Sequence, residues 1–105
     1  MPELPESPLL ADFQSYVAEL EVERGFVEQD VVQKCLMLGE EVGELFKAVR
    51  KHARIKVGRD SKVGTADEEL ADILIFVCAI ANRLEVDLEQ AFRVKEVHNK
   101  TRVWE

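Results

Sequence analysis

From Ile73 to Ala81 nine consecutive residues are apolar, and this run limits what the chain can fold into more than any other feature. Ahead of it stands Thr65, a helix-capping residue type, with Glu68 three places on in the pattern of a capping box. The run therefore reads as the body of a helix that ends near Leu84. It is far too short to span a bilayer, which takes about 20 apolar residues. A helix that is apolar all round has no wet face and must be surrounded. Three short neighbours from a chain of 105 residues can scarcely enclose it, so the sequence predicts that another subunit covers the open side.

The remaining pattern is helical too, with no convincing strand. Ser7-Pro8 supplies a cap followed by proline at the first helical position, opening a helix that runs to about Arg24 and stops at Gly25. Asp30, with Gln33 three residues on, caps a second helix reaching about His52. Its apolar stripe is Val31, Cys35, Leu38, Val42, Leu45, Phe46 and Val49, spaced by three and four. Gly39 and Gly43 lie inside it, each costing roughly 1 kcal/mol against alanine, so close approach of another helix is expected there. Ala53 to Gly64 breaks the pattern and holds Arg54, Lys56, Arg59 and Lys62, read as solvated charges. Asp87, with Gln90 three residues on, caps a fourth helix carried to about Lys100, and the tail is frayed or docked on a partner. The expected fold is all-α, a four-helix bundle forming one domain over residues 1–105 and completed by homo-oligomerisation.

Acidic residues outnumber basic ones, 21 to 14, for a net charge of -7. Such a field argues against nucleic acid and anionic membranes as partners. It leaves room for a phosphorylated substrate, because bound divalent ions invert the local potential. Cys35 and Cys78 both lie in apolar helical surroundings and read as reduced core thiols. Met1 to Pro8 is acidic and proline-containing, unlike a secretory leader, so a soluble cytoplasmic domain is expected.

Chemistry concentrates in the carboxylates. Glu40, Glu41 and Glu44 read EExxE on the second helix; Glu69 and Asp72 read ExxD at the head of the third. A short connection could fold these clusters face to face. Packed carboxylates raise one another's pKa and cost stability unless a cation neutralises them. The cation that suits oxygen ligands and phosphates is magnesium or manganese. Glu41 borders the apolar stripe, Glu44 is its i+3 neighbour, and no lysine or arginine lies within a turn of Asp72. EExxE alone is usually a solvated acidic face, but its pairing with ExxD at an apolar helix favours a metal site. A di-iron bundle needs Glu-x-x-His pairs, whereas His52 and His98 follow Val49 and Lys95 at that spacing. Lys95, Asn99 and Arg102 share one face of the last helix at i, i+4 and i+7. They either complement the helix macrodipole or contact phosphates and sugar. Trp104 and Tyr16 are read as core or interface residues with base stacking as the alternative.

These residues resemble the MazG-type all-α nucleoside triphosphate pyrophosphohydrolases. The matching stretches are LGEEVGEL at Leu38 to Leu45 and EELADILIFV at Glu68 to Val77, continued by VDLEQAF at Val86 to Phe92 and K-x-x-x-N ending in Arg102. The resemblance covers roughly Val31 to Arg102. It implies a four-helix unit that dimerises or tetramerises, with magnesium, or manganese in its place, held by Glu41, Glu44, Glu69 and Asp72. It makes Glu40 and Glu41 catalytic, Glu40 binding a further ion or orienting the attacking water. Lys95, Asn99 and Arg102 become substrate contacts. The implied reaction cleaves nucleoside triphosphates between the α- and β-phosphates, removing non-standard or surplus nucleotides. The chain lacks the tryptophan-rich base pocket of a close dCTP or dUTP specialist, which leaves the base open. Two alternatives stand beside this reading: phosphoribosyl-ATP pyrophosphohydrolase, and a non-catalytic acidic helical binding module.

Overall fold

A computed structural model describes residues 1–55 and 63–104. Among these are four helices and no strand: α1 (Leu10–Arg24), α2 (Val31–His52), α3 (Ala66–Arg83) and α4 (Leu88–Thr101). Of the basic loop residues, Lys56, Arg59 and Lys62 lie outside the described residues.

The helix ends follow local chemistry. α1 begins after Leu9, later than Ser7-Pro8 suggests, because the Leu9 N–H donates to Asp12 Oδ2 at 2.7 Å. Gly25 closes it with φ 75°, a left-handed turn that glycine adopts without strain. There the Phe26 N–H returns to the Glu21 carbonyl at 2.8 Å. The capping box of α2 forms in both directions, Asp30 to Gln33 and back, at 2.8 Å each. The box expected at Thr65 and Glu68 does not form; Thr65 instead bonds the Asp67 carboxylate and holds its pKa below the usual value. Asp87 Oδ1 caps α4 by accepting from the Gln90 N–H at 3.1 Å.

α3 is the centre of the molecule, with α2 packed along one side and α1 along another, while α4 packs chiefly on α1. The core joins Val17 and Leu20 of α1 to Cys78 and Ala79 of α3, with Phe13, Tyr16, Ile75 and Leu88 around them. Gln14 clasps three elements together. Its Nε2 donates to the Val86 carbonyl at 2.8 Å, its Oε1 accepts from the Leu88 N–H at 3.0 Å, and its carbonyl accepts from Asn82 Nδ2 at 2.9 Å.

Several expectations change here. Cys78 is fully buried, but Cys35 is exposed. On α2 the buried positions are Lys34 and Ala48, with Met37, Leu38, Glu41 and Leu45 half-buried, while Phe46 and Val49 face outward. The helix turns its carboxylate-bearing side to α3, and that rotates part of the apolar stripe toward solvent. A Cβ at Gly39 or Gly43 would meet nothing within 4 Å, so no helix of the same chain makes the expected close approach. α3 is only partly enclosed: Cys78, Ala79 and Ala81 are buried, whereas Leu70 is 55% and Leu74 39% exposed. α4 has no buried residue. The radius of gyration, 16.3 Å, exceeds the ~13 Å of a compact chain this long. One chain thus forms an open array with apolar faces to spare.

Candidate functional site

Lys34 of α2 faces Phe76 of α3, and Glu41 of α2 faces Glu69 and Asp72, so the two helices run antiparallel along a shared seam. The i, i+3 spacing puts Glu69 and Asp72 on one side of α3. On α2, Lys34, Met37 and Glu41 (i, i+3, i+7) line the opposing side. The result is a cluster in which one carboxylate oxygen from each of Glu41, Glu69 and Asp72 lies within 4.8 Å of the others. Glu69 is buried, Glu41 half-buried and Asp72 exposed, so the cluster is dry at its base and open to water at Asp72.

Burial pushes the Glu41 pKa up, and a hydrogen bond to Glu69 and the charges of Asp72, Glu69 and Glu44 push it further. A cation among these carboxylates would relieve the repulsion that raises Glu41. The donors fit a hard divalent ion. Oxygens bound to one magnesium ion lie no more than about 4 Å apart, so the cluster would draw together slightly around an ion, and the open side leaves positions for water and phosphate. Gly64 makes room for this arrangement: a Cβ there would sit 2.5 Å from Glu69 Oε1 and 3.2 Å from Glu68 Oε2.

The other anticipated site residues are placed differently. Glu44 lies outside the three-atom cluster, paired with Lys47 Nζ at 3.7 Å, yet near enough for its charge to raise Glu41. Glu40 is exposed on the next position of α2. Lys95, Asn99 and Arg102 belong to α4 and its end, which pack chiefly on α1, so within one chain they stand apart from the carboxylates. Asn99 Nδ2 donates to Glu96 Oε1 at 3.1 Å, and the Arg102 guanidinium stacks on Trp104 at 4.2 Å. Tyr16 packs against the core.

Sequence reasoning missed a buried ionic knot beside this cluster. Glu21 is 5% and Lys34 3% exposed. Arg83 grips Glu21 with both terminal nitrogens, at 2.8 and 2.7 Å, and also donates to the carbonyls of Gln29, Ala79 and Phe26. Lys34 Nζ lies 3.3 Å from Glu21 Oε2 and over the rings of Phe26 and Phe76, at 4.9 and 5.4 Å. Burial opposes the charged form of Glu21, but the hydrogen bonds and charges of Arg83 and Lys34 prevail and hold its pKa below the usual value. The available signal was charge at core register: Glu21 follows Val17 by four, and Lys34 follows Val31 by three. A cavity of about 150 Å³ connects the two features, lined among others by Asp72, Ile75, Phe76, Phe26, Met37 and Lys34.

The model of the MazG nucleotide pyrophosphohydrolase domain matches residues 29–102. Crystal structures of iMazG from Vibrio DAT 722 are similar to this chain. The Ctag form is 35% identical over 89% of this chain and 99% of its own, with a TM-score of 0.63. The Ntag form is 34% identical over 92% and 99%, also with a TM-score of 0.63. No curated protein matches. The domain match takes in all three clustered carboxylates together with Lys34 and Arg83, but begins after Glu21.

Proposed function

The chain belongs to the MazG nucleotide pyrophosphohydrolase family, and from that premise we propose that it hydrolyses (deoxy)nucleoside triphosphates between the α- and β-phosphates in a magnesium-dependent reaction. Membership makes it a hydrolase acting on nucleotide pyrophosphate bonds. The observation that supports the finer reading is the Glu41–Glu69–Asp72 cluster, one oxygen of each lying within 4.8 Å of the others, so that small side-chain movements would bring all three onto one divalent ion. Those three residues would hold magnesium or manganese, with Glu44 one turn along α2 as a fourth contributor. A bound ion would supply the positive charge that neutralises the cluster and polarises the phosphoryl oxygens.

The remaining work falls to the chain's own groups. Water attacks the α-phosphorus, its proton passes to a carboxylate, and the bond to the bridging oxygen breaks to release pyrophosphate. Glu40, the exposed neighbour of Glu41, would bind a further ion or orient the attacking water. Lys95, Asn99 and Arg102 serve as phosphate or sugar contacts once assembly brings an α4 against the acidic face. A homodimer or homotetramer is supported by the apolar side chains one copy leaves in water, including Leu36, Phe46, Leu70 and Phe92. The cellular role would be removal of non-standard or surplus nucleotides in the cytoplasm. No helix among the described residues is long and apolar enough to cross a membrane.

The test is pyrophosphate release from a panel of standard and modified nucleoside triphosphates with magnesium, with manganese and with chelator. Metal-dependent release with monophosphate as co-product is the expected result. Release that survives chelation, or orthophosphate in place of pyrophosphate, overturns the proposal.

A further inference from the structure

We propose that Arg83 and Lys34 are positioning residues for the metal centre: tied together through Glu21, they set the rotation and register of α2 on α3 that bring Glu41 to Glu69 and Asp72. This rests on the reading of those carboxylates as metal ligands and adds what holds them in place.

Metal binding demands accuracy from α2. A side chain reaches about 5–6 Å from its helix axis, so turning α2 by only about 10° carries Glu41 about 1 Å out of place. A slip of one residue turns the helix by about 100° and presents Glu40 or Val42 instead. Magnesium tolerates neither, since it holds oxygens at about 2.0–2.1 Å in near-ideal geometry. Apolar packing is non-directional, and on α2 it is sparse: the buried residues are Lys34 and Ala48.

Arg83 and Lys34 supply the missing direction. Arg83 follows Asp72 by eleven residues on α3, about three turns, and so stands at the far end of the same side. Its guanidinium has five N–H donors, and all are used. Nε donates to the Gln29 carbonyl, Nη1 to Glu21 Oε1 and the Ala79 carbonyl, and Nη2 to Glu21 Oε2 and the Phe26 carbonyl. Ala79 lies one turn back on α3 and steadies the side chain, while Phe26 and Gln29 belong to the link that leads into α2. Arg83 thereby pins the entrance of α2 to α3. Lys34, in the first turn of α2, pins its angle. Its ammonium is held against Glu21 Oε2 at 3.3 Å and over the rings of Phe26 and Phe76. Glu41 follows by seven residues, two turns on the same side and about 10 Å along the axis. The direction Lys34 faces is therefore the direction Glu41 faces.

The cost of the knot fits this role. Two cations share one carboxylate, and burying charge is a poor route to stability. Such a group provides a unique arrangement, as a buried polar residue does when it fixes the register of a coiled coil. Glu21 precedes the residues matched to the MazG domain, 29–102, so α1 contributes the anion on which the alignment turns.

Titration calorimetry with manganese on the nucleotide-free protein tests this apart from turnover. Arg83→Lys keeps the charge but replaces a rigid fork with a point donor. It should weaken manganese binding about tenfold or more, the effect of misaligned ligands, with helix content unchanged by circular dichroism. Lys34→Met should also weaken it about tenfold, although removing a cation about 10 Å from the ion would by charge alone strengthen it. In that variant Arg83 still holds Glu21 with two bonds, so it decides the matter if Arg83→Lys fails to fold. Gln14→Leu is the control, because the bonds of Gln14 reach α3 and α4. It should lower the melting temperature and leave manganese affinity within about twofold. Wild-type or tighter binding in Lys34→Met overturns the inference, as does an equal loss in Gln14→Leu, which would reduce the effect to stability. A wild type that binds no manganese overturns the metal reading itself, and this inference with it.

Discussion

Gly64→Ala isolates the contribution of one missing methyl group to the acidic cluster. Gly64 lies just before α3, and its φ is not in the left-handed region, so alanine fits the backbone. The added Cβ would meet Glu69 Oε1 at 2.5 Å, and ordinary contact begins at 3.4 Å, so the carboxylate must withdraw by about 0.9 Å. Glu69 can swing, since the clash is with the end of its side chain. The fold then loses little, and the restricted unfolded chain offers a gain of about 0.4–1 kcal/mol. Metal binding is less forgiving. Magnesium holds its oxygens at 2.0–2.1 Å with near-ideal geometry, and a ligand displaced by almost half that length no longer coordinates. Misoriented ligand shells weaken metal affinity by about 10–100-fold, and the same loss is expected here. Titration calorimetry with manganese reads the affinity, and thermal denaturation in chelator reads the fold. Wild-type manganese affinity in a well-folded Gly64→Ala protein would refute the reasoning, because Glu69 would then not be a ligand in the pose described.

Asp72→Asn removes one charge from three, so turnover should fall at least about 100-fold while the melting temperature in chelator holds or rises by a few degrees; a melting temperature several degrees lower would mark Asp72 as a structural residue. Glu21→Gln leaves Lys34 and Arg83 buried without an anion, and should cost about 3–5 kcal/mol, read as a fall of roughly 10 °C or more in melting temperature. With the folded pKa of Glu21 below its unfolded value of about 4.3, its stabilisation is complete above that pH and disappears as pH falls through the lower folded value. Acid denaturation of the wild type below the unfolded value should therefore be steeper than that of Glu21→Gln. Phe92→Asp on the exposed side of α4 should shift the sedimentation profile toward monomer; an unchanged profile would remove this helix from the assembly surface.

The sequence showed which residues are helical and where the helices end, because capping residues and turn residues act over three or four positions. Asp30, Gly25 and Asp87 behave as their local chemistry requires. The pairing of Glu41 with Glu69 and Asp72 was legible for a related reason, since helical spacing aligns each pair and a single seam brings them together. Rotation of α2 about its axis was not. Its apolar residues spread too far round the helix to say which of them meet α3, and Phe46 and Val49 of that stripe stay exposed. Lys34 was overlooked because a buried lysine depends on partners more than ten residues away in sequence, Glu21 and Arg83, that no local pattern announces. The place of α4 was equally hidden: its position rests on the Gln14 clasp, one polar residue whose partners lie far along the chain.

Cys78 has no accessible surface and sits where α1 and α3 meet, and burial raises its pKa further from the reactive thiolate form. An alkylating reagent reaches that sulfur only when the two helices part. The chain therefore carries its own clock: the rate at which Cys78 is labelled, set against the rate for an unhindered thiol, counts how often the α1–α3 seam opens. Because Glu21 and Arg83 straddle the same seam, a ligand that fastens the ionic knot would be seen to slow the clock, with no probe added to the protein.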